Sequence, residues 1–127
     1  MRRLHKALAV TGGLTVLALG LSAPPAQAAS CRSGYVCMWE DPNYSGSLYV
    51  EQPNQNGRYE IDGFNGDNEI SSVINNTGKC IVLHANDGWT GRTHSIQKSG
   101  SASQRPNLQL NGYDNEAESY GIHNTGC

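Results

Sequence analysis

The chain has 127 residues, of which 37% are hydrophobic, 16% charged and 7% aromatic, with a formal net charge of −2. Fifteen Gly and 5 Pro against 2 Met and 1 Phe argue against a helical bundle, because Gly and Pro interrupt helices. A charge this close to zero also argues against a nucleic-acid binder, which needs a basic stripe to displace counterions.

The first segment reads as an export signal. Arg2, Arg3, His5 and Lys6 make a basic start, and residues 7–21 are mainly apolar. Pro24 and Pro25 break the run ahead of Ala26-Gln27-Ala28, a small-x-small cleavage site. The apolar run falls short of the roughly 20 residues that span a bilayer, so a membrane anchor is the poorer reading. Cleavage after Ala28 leaves a domain of 99 residues, 29–127, with six basic and eleven acidic side chains and a charge of −5. No membrane association is expected after cleavage, and the mature domain is expected to be a monomer.

Cys31, Cys37, Cys80 and Cys127 all lie beyond the cut. Four cysteines in a short exported chain read as two disulfides. Three pairings are possible. The expected pairing is Cys31–Cys37 plus Cys80–Cys127, because Cys80 and Cys127 close equivalent units. A zinc site would need C-x-x-C or close Cys/His spacing, and neither is present.

The mature chain is a tandem repeat. Trp39-Glu40-Asp41-Pro42-Asn43-Tyr44-Ser45-Gly46 precedes His84-Ala85-Asn86-Asp87-Gly88-Trp89-Thr90-Gly91 by 45 residues. In each, a ring follows a ring-bearing position by five residues, and Gly comes two later. Ile61-Asp62-Gly63-Phe64 is matched with Leu110-Asn111-Gly112-Tyr113, and Asp67-Asn68-Glu69 with Asp114-Asn115-Glu116. Asn-Thr-Gly recurs at residues 76–78 and 124–126, ahead of Cys80 and Cys127. Motif one is placed at about residues 35–79 and motif two at about 80–127.

Residues 35–40, 47–51, 72–74 and 81–84 read as short strands bounded by turn residues. Pro42 and Asn43 suit a turn, and Gly46 can take positive φ. No twelve-residue window of the mature chain has helical apolar spacing. The reading is an all-β sandwich of two halves, neither able to bury its apolar face alone.

Trp39-x4-Tyr44-x-Gly46 resembles the aromatic-x4-aromatic-x-Gly signature of the βγ-crystallin Greek key. Asp67-Asn68-Glu69-Ile70-Ser71-Ser72 is similar to that family's calcium motif, with every position filled. The opening from Cys31 to Gly46 is similar to the secreted actinobacterial peptidase inhibitors built on one βγ-crystallin domain (Streptomyces metalloproteinase inhibitor-like). The resemblance covers nearly all of the mature chain. In its second half His84 replaces the first aromatic, and Glu118 stands where Ser or Thr is the rule.

The resemblance implies a single βγ-crystallin-like domain with two Greek-key motifs. It also implies Ca²⁺, a hard cation that takes six to eight oxygens. One ion would draw on the Glu69 carbonyl, the Ser71 hydroxyl and Asn115. The other would draw on the Glu116 carbonyl, Glu118 and Asn68. Glu40 and Ala85 would add carbonyls. Asp67 and Asp114 lead the two motifs, and Asp and Asn there also cap turns without any metal.

No catalytic constellation is present. His84, His94 and His123 lack a nucleophile or carboxylate partner at catalytic spacing, and G-x-S-x-G, H-E-x-x-H and phosphate-loop motifs are missing. Glu40 and Asp41 are adjacent, so on a strand they point apart. Trp39, Tyr44, Trp89, Gly46 and Gly91 are assigned to the structural corners. The expected function is non-enzymatic: a secreted inhibitor blocking an extracellular peptidase through an exposed loop, at residues 52–57 or 99–107. The alternatives are a calcium-stabilised extracellular module and a killer-toxin-like protein with no peptidase target.

Overall fold

The computed structural model describes residues 20, 29–61, 68–125 and 127. The expected export signal, apart from residue 20, lies outside the described residues, as do 62–67, with Asp67 and Phe64 among them.

Eight strands run in chain order: β1 Tyr35–Asp41, β2 Ser45–Pro53, β3 Gly57–Glu60, β4 Ser72–Asn75, β5 Cys80–Asn86, β6 Thr90–Ile96, β7 Gln104–Arg105 and β8 Ser119–His123. They form two antiparallel four-stranded sheets, ordered β2-β1-β4-β7 and β3-β8-β5-β6. Among the described residues the only helical elements are three short 3₁₀ turns, Asp87–Trp89, Ser101–Ser103 and Leu108–Asn111.

The topology is two interlocked Greek keys. In motif one, β1, β2 and β4 share a sheet while β3 crosses to pair with β8 of motif two. In motif two, β5, β6 and β8 share a sheet while β7 crosses to pair with β4. Each half thus completes the other's sheet.

Alternation along the strands sends Val36, Met38 and Val73 from one sheet against Ile81, Leu83, Tyr120 and Ile122 from the other, forming one continuous core. A second, smaller cluster lies on the outer face of the first sheet. There Cys37, Trp39 and Ile74 pack with Ala29, Cys31, Tyr35 and Tyr44. The N-terminal segment covers that face and is tied down by Asn76, whose Nδ2 donates to the Cys31 carbonyl at 2.7 Å. The disulfides are Cys31–Cys37 and Cys80–Cys127, the expected pairing.

Two sequence expectations change. The repeat partner of Ile61 is Leu108, not Leu110. The Ile61 amide donates to the Glu118 carbonyl and the Leu108 amide to the Ser71 carbonyl, at 2.8 and 2.9 Å. Both side chains enter the core, whereas Leu110 is 83% exposed. The shared Gly and aromatic ring drew the alignment two residues out of register. Residues 99–107 are also not a free loop. They contain the 3₁₀ turn Ser101–Ser103 and strand β7, whose two residues pair with β4.

Candidate functional site

The two motifs build their corners alike. β1 and β2 break register between Trp39 and Asp41, and β5 and β6 between His84 and Asn86. Glu40 and Ala85 are therefore bulged out of their ladders, at matching places. Behind each bulge the chain turns through positive φ: Asn43, Tyr44 and Gly46 in one corner, Gly88, Trp89 and Gly91 in the other. A Cβ on Gly46 would meet the Asp41 carboxylate, and one on Gly91 the Asn86 amide, each at 2.7 Å. Trp39 and Tyr44 meet edge to face, with centroids 5.5 Å apart. The second corner is held differently: Trp89 Nε1 donates to the Tyr59 carbonyl at 3.3 Å, and Arg58 lies over the indole.

The loops entering β4 and β8 pack side by side against these corners. Asn68 and Asn115 occupy the left-handed region, at φ 57° and 54°, a conformation that Asn tolerates better than most residues. The Asn115 amide donates to the Ile70 carbonyl and the Asn68 amide to the Ala117 carbonyl, both at 3.1 Å. Each loop is thereby pinned by the other motif.

The structure brings most of the first predicted ligand set together. An open cleft of about 510 Å³ is lined by Glu40, Asp41, Pro42, Asn68, Glu69, Ser71, Asp114 and Asn115. Four of these carry carboxylates and none a basic group. Ser71 Oγ donates to Asn115 Oδ1 at 3.2 Å across the motif boundary. Asp114 Oδ1 is shut off from solvent and has no hydrogen-bond partner. Glu40 Oε2 accepts from the Ser47 amide, which holds the carboxyl below its usual range. Tyr49 donates to Glu69 Oε2 at 2.7 Å, and losing that bond on ionisation pushes the phenol up to about 12. Sequence reasoning missed Asp41 as a lining residue and the bond from Tyr49, which spans 20 residues of chain.

The second set is arranged otherwise. Glu118 Oε1 accepts from Asn68 Nδ2 at 2.7 Å and Oε2 from the Asp87 amide at 2.9 Å, so both oxygens are engaged. Arg92 donates to the Gly112 carbonyl at 2.6 Å and pairs with the Glu116 carboxylate. Ala85 sits on the adjoining bulge. Among the described residues no three His, Cys, Asp or Glu side chains gather as a metal cluster.

His84 and His94 are each held below the ordinary imidazole range, mainly by burial. His94 stacks on Tyr113. No described nucleophile hydrogen-bonds to either ring.

The family model for peptidase inhibitor family I36 matches residues 24–96, more than half of the chain. The chain belongs to this family. Membership of an inhibitor family points to a non-enzymatic protein. The match covers motif one and the β5–β6 hairpin and stops short of residues 97–127. Solved structures agree on the fold. A βγ-crystallin domain from Clostridium beijerinckii is 24% identical, with a TM-score of 0.56, covering 72% of this chain and 99% of that one. A βγ-crystallin domain from Flavobacterium johnsoniae is 20% identical at the same TM-score, covering 72% and 97%. The N-terminal domain of protein S is also 20% identical at 0.56, covering 73% and 99%. A search of curated proteins finds no match. The I36 fold in this chain is thus a βγ-crystallin sandwich. Its two disulfides fit an oxidising, extracellular setting. No helix among the described residues is long and apolar enough to cross a membrane.

Proposed function

We propose that this I36 protein is exported through residues 1–28 and blocks an extracellular peptidase by seating an exposed segment in the enzyme's substrate cleft. The family match is the observation that carries this reading. The physical support is rigidity. Ordering a loop on binding costs affinity, and a loop already ordered avoids that cost. The connection at residues 54–56 is held at three points. The Asn54 amide donates to the Gly34 carbonyl, Lys79 Nζ donates to the Asn54 carbonyl, and the Tyr59 hydroxyl donates to the Gln55 carbonyl. Purified residues 29–127 should inhibit at least one enzyme in a panel of secreted metallo- and serine peptidases. A lack of inhibition throughout the panel at micromolar protein would overturn the reading.

A second reading concerns Ca²⁺ in the acidic cleft. The observation favouring it is Asp114 Oδ1, a buried and unpartnered carboxylate oxygen in a cleft lined by oxygen donors. A buried charge without a partner is costly, and a cation supplies one. Glu69 and Glu40 through their carbonyls, Ser71 through its hydroxyl and Asn115 through its side chain would hold the ion. When bound, it would neutralise the cleft and tie the two motifs together. An excess of a hundredfold over Kd would stabilise the fold by about 2.7 kcal/mol. Thermal melts with Ca²⁺ and with a chelator should separate, and Ser71→Ala should narrow the separation. Identical melts would reject the site.

A further inference from the structure

We infer that the turn Leu108–Asn111 holds Leu110 out as an apolar anchor, which fills a neutral, apolar substrate pocket of the inhibited peptidase. This assignment rests on the inhibitor reading and adds to it a contact separate from the connection at residues 54–56.

Leu110 has no duty in the fold. The core position that the repeat predicts for it belongs to Leu108, which is fully buried. Leu110 is 83% exposed, against 45% for Leu48, the other exposed large hydrophobic among the described residues.

The backbone beneath it is nevertheless tightly determined. Asn107 Oδ1 accepts from the Gln109 amide at 2.9 Å. Gly112 closes the turn in the left-handed region at φ 64°, its amide donating to the Gln109 carbonyl. The Tyr113 amide donates to the Leu108 carbonyl at 3.0 Å, so the turn is clamped between two buried side chains, Leu108 and Tyr113. Arg92 braces the C-terminal side twice: its guanidinium donates to the Gly112 carbonyl, and its carbonyl accepts from the Tyr113 hydroxyl.

A pinned turn with one apolar tip has the form of a preorganised anchor, and anchors of this kind carry most of an interface's energy when they enter a pocket. Its flanking residues, Gln109 and Asn111, are exposed and uncharged, which fits a neutral pocket. The backbone is 3₁₀ rather than extended, so recognition goes through the side chain and not through strand-like pairing with the enzyme. The turn lies beyond the residues that the family model matches.

The test compares residues 29–127 as wild type, Leu110→Ser, Leu110→Met and Leu48→Ser. The readouts are melting temperature, sedimentation and inhibition of peptidases that prefer large apolar side chains. Leu110→Ser should melt with the wild type yet inhibit roughly tenfold to a hundredfold less, the effect of removing one buried leucine. Leu110→Met should stay within a few-fold, and Leu48→Ser should match the wild type. Equal inhibition by Leu110→Ser, loss that tracks melting temperature, or a wild-type dimer dissolved by Leu110→Ser would overturn the anchor while leaving the inhibitor reading in place. A wild type that inhibits no peptidase removes both.

Discussion

Ser72 and Ser119 hold the two corners by the same pair of bonds. Ser72 Oγ donates to the Asp41 carbonyl at 2.6 Å and accepts from the Tyr44 amide at 3.0 Å. Ser119 Oγ donates to the Asn86 carbonyl at 2.7 Å and accepts from the Trp89 amide at 3.1 Å. Both serines are fully buried, and removing either hydroxyl strands a backbone donor and an acceptor. Ser72→Ala and Ser119→Ala should each cost about 1–3 kcal/mol in urea unfolding. A value near zero for either would mean that water replaces the hydroxyl. His94 marks where the halves diverge chemically. Met38 pairs with Val50 in motif one, and Leu83 with His94 in the matching place of motif two. Burial, with Arg105 and Arg92 nearby, lowers the His94 pKa from 6.5. The unfolded chain therefore binds more protons near pH 6.5 than the folded one, and stability must fall as pH drops through that region. Unfolding at pH 7.5 and 5.5 should show this loss, and His94→Gln should reduce it. An undiminished loss in the variant would assign the effect to another group, His84 first.

At the scale of elements, the legible parts were those written in local chemistry. Strands β1, β2, β4 and β5 carry apolar runs between turn residues and were predicted within a few residues. The short strands β3 and β7, of four and two residues, carry too little pattern to stand out and exist because a neighbouring edge pairs with them. The cleft was partly legible. Glu40, Asn68, Glu69, Ser71, Asp114 and Asn115 line one cleft, whereas the expected ligand sets put Asn68 with the second ion, and Tyr49 meets Glu69 there only through the fold. The use of Glu118 as a cap for the Asp87 amide was not legible, since the contact spans 31 residues. The disulfides differ in reach. Cys80–Cys127 closes a separation of 47 residues and Cys31–Cys37 one of 6. By loop entropy the first stabilises by about 4 kcal/mol and the second by about 2. Cys80→Ala/Cys127→Ala should thus lower the urea midpoint more than Cys31→Ala/Cys37→Ala. The reverse order would mean that the N-terminal cover over Trp39 and Ile74 outweighs chain entropy.

For the whole molecule, exchange of β3 and β7 makes the two motifs inseparable. Motif one alone would lose β7 from its sheet and leave β3 without a partner strand. Its half of the core, Val36, Met38 and Val73 among it, would face water. Residues 29–79, expressed alone, should give the dispersion-poor amide spectrum of an unfolded chain, and mixing with residues 80–127 should restore dispersion. A folded fragment would show that the exchanged strands are dispensable.

The sequence by itself determined the duplication, the all-β class and the two corners, whereas the cysteine pairing stayed one of three until the fold set it. The first three are encoded in residues close along the chain, where turn dihedrals and short hydrogen bonds depend on side-chain type. Only the tertiary structure decided which sheet receives β3 and β7, that Leu108 and not Leu110 enters the core, and that Glu118 turns toward Asp87. Those outcomes depend on which distant strand edge or cavity each segment meets, and packing across the sandwich sets that after local preferences have been spent.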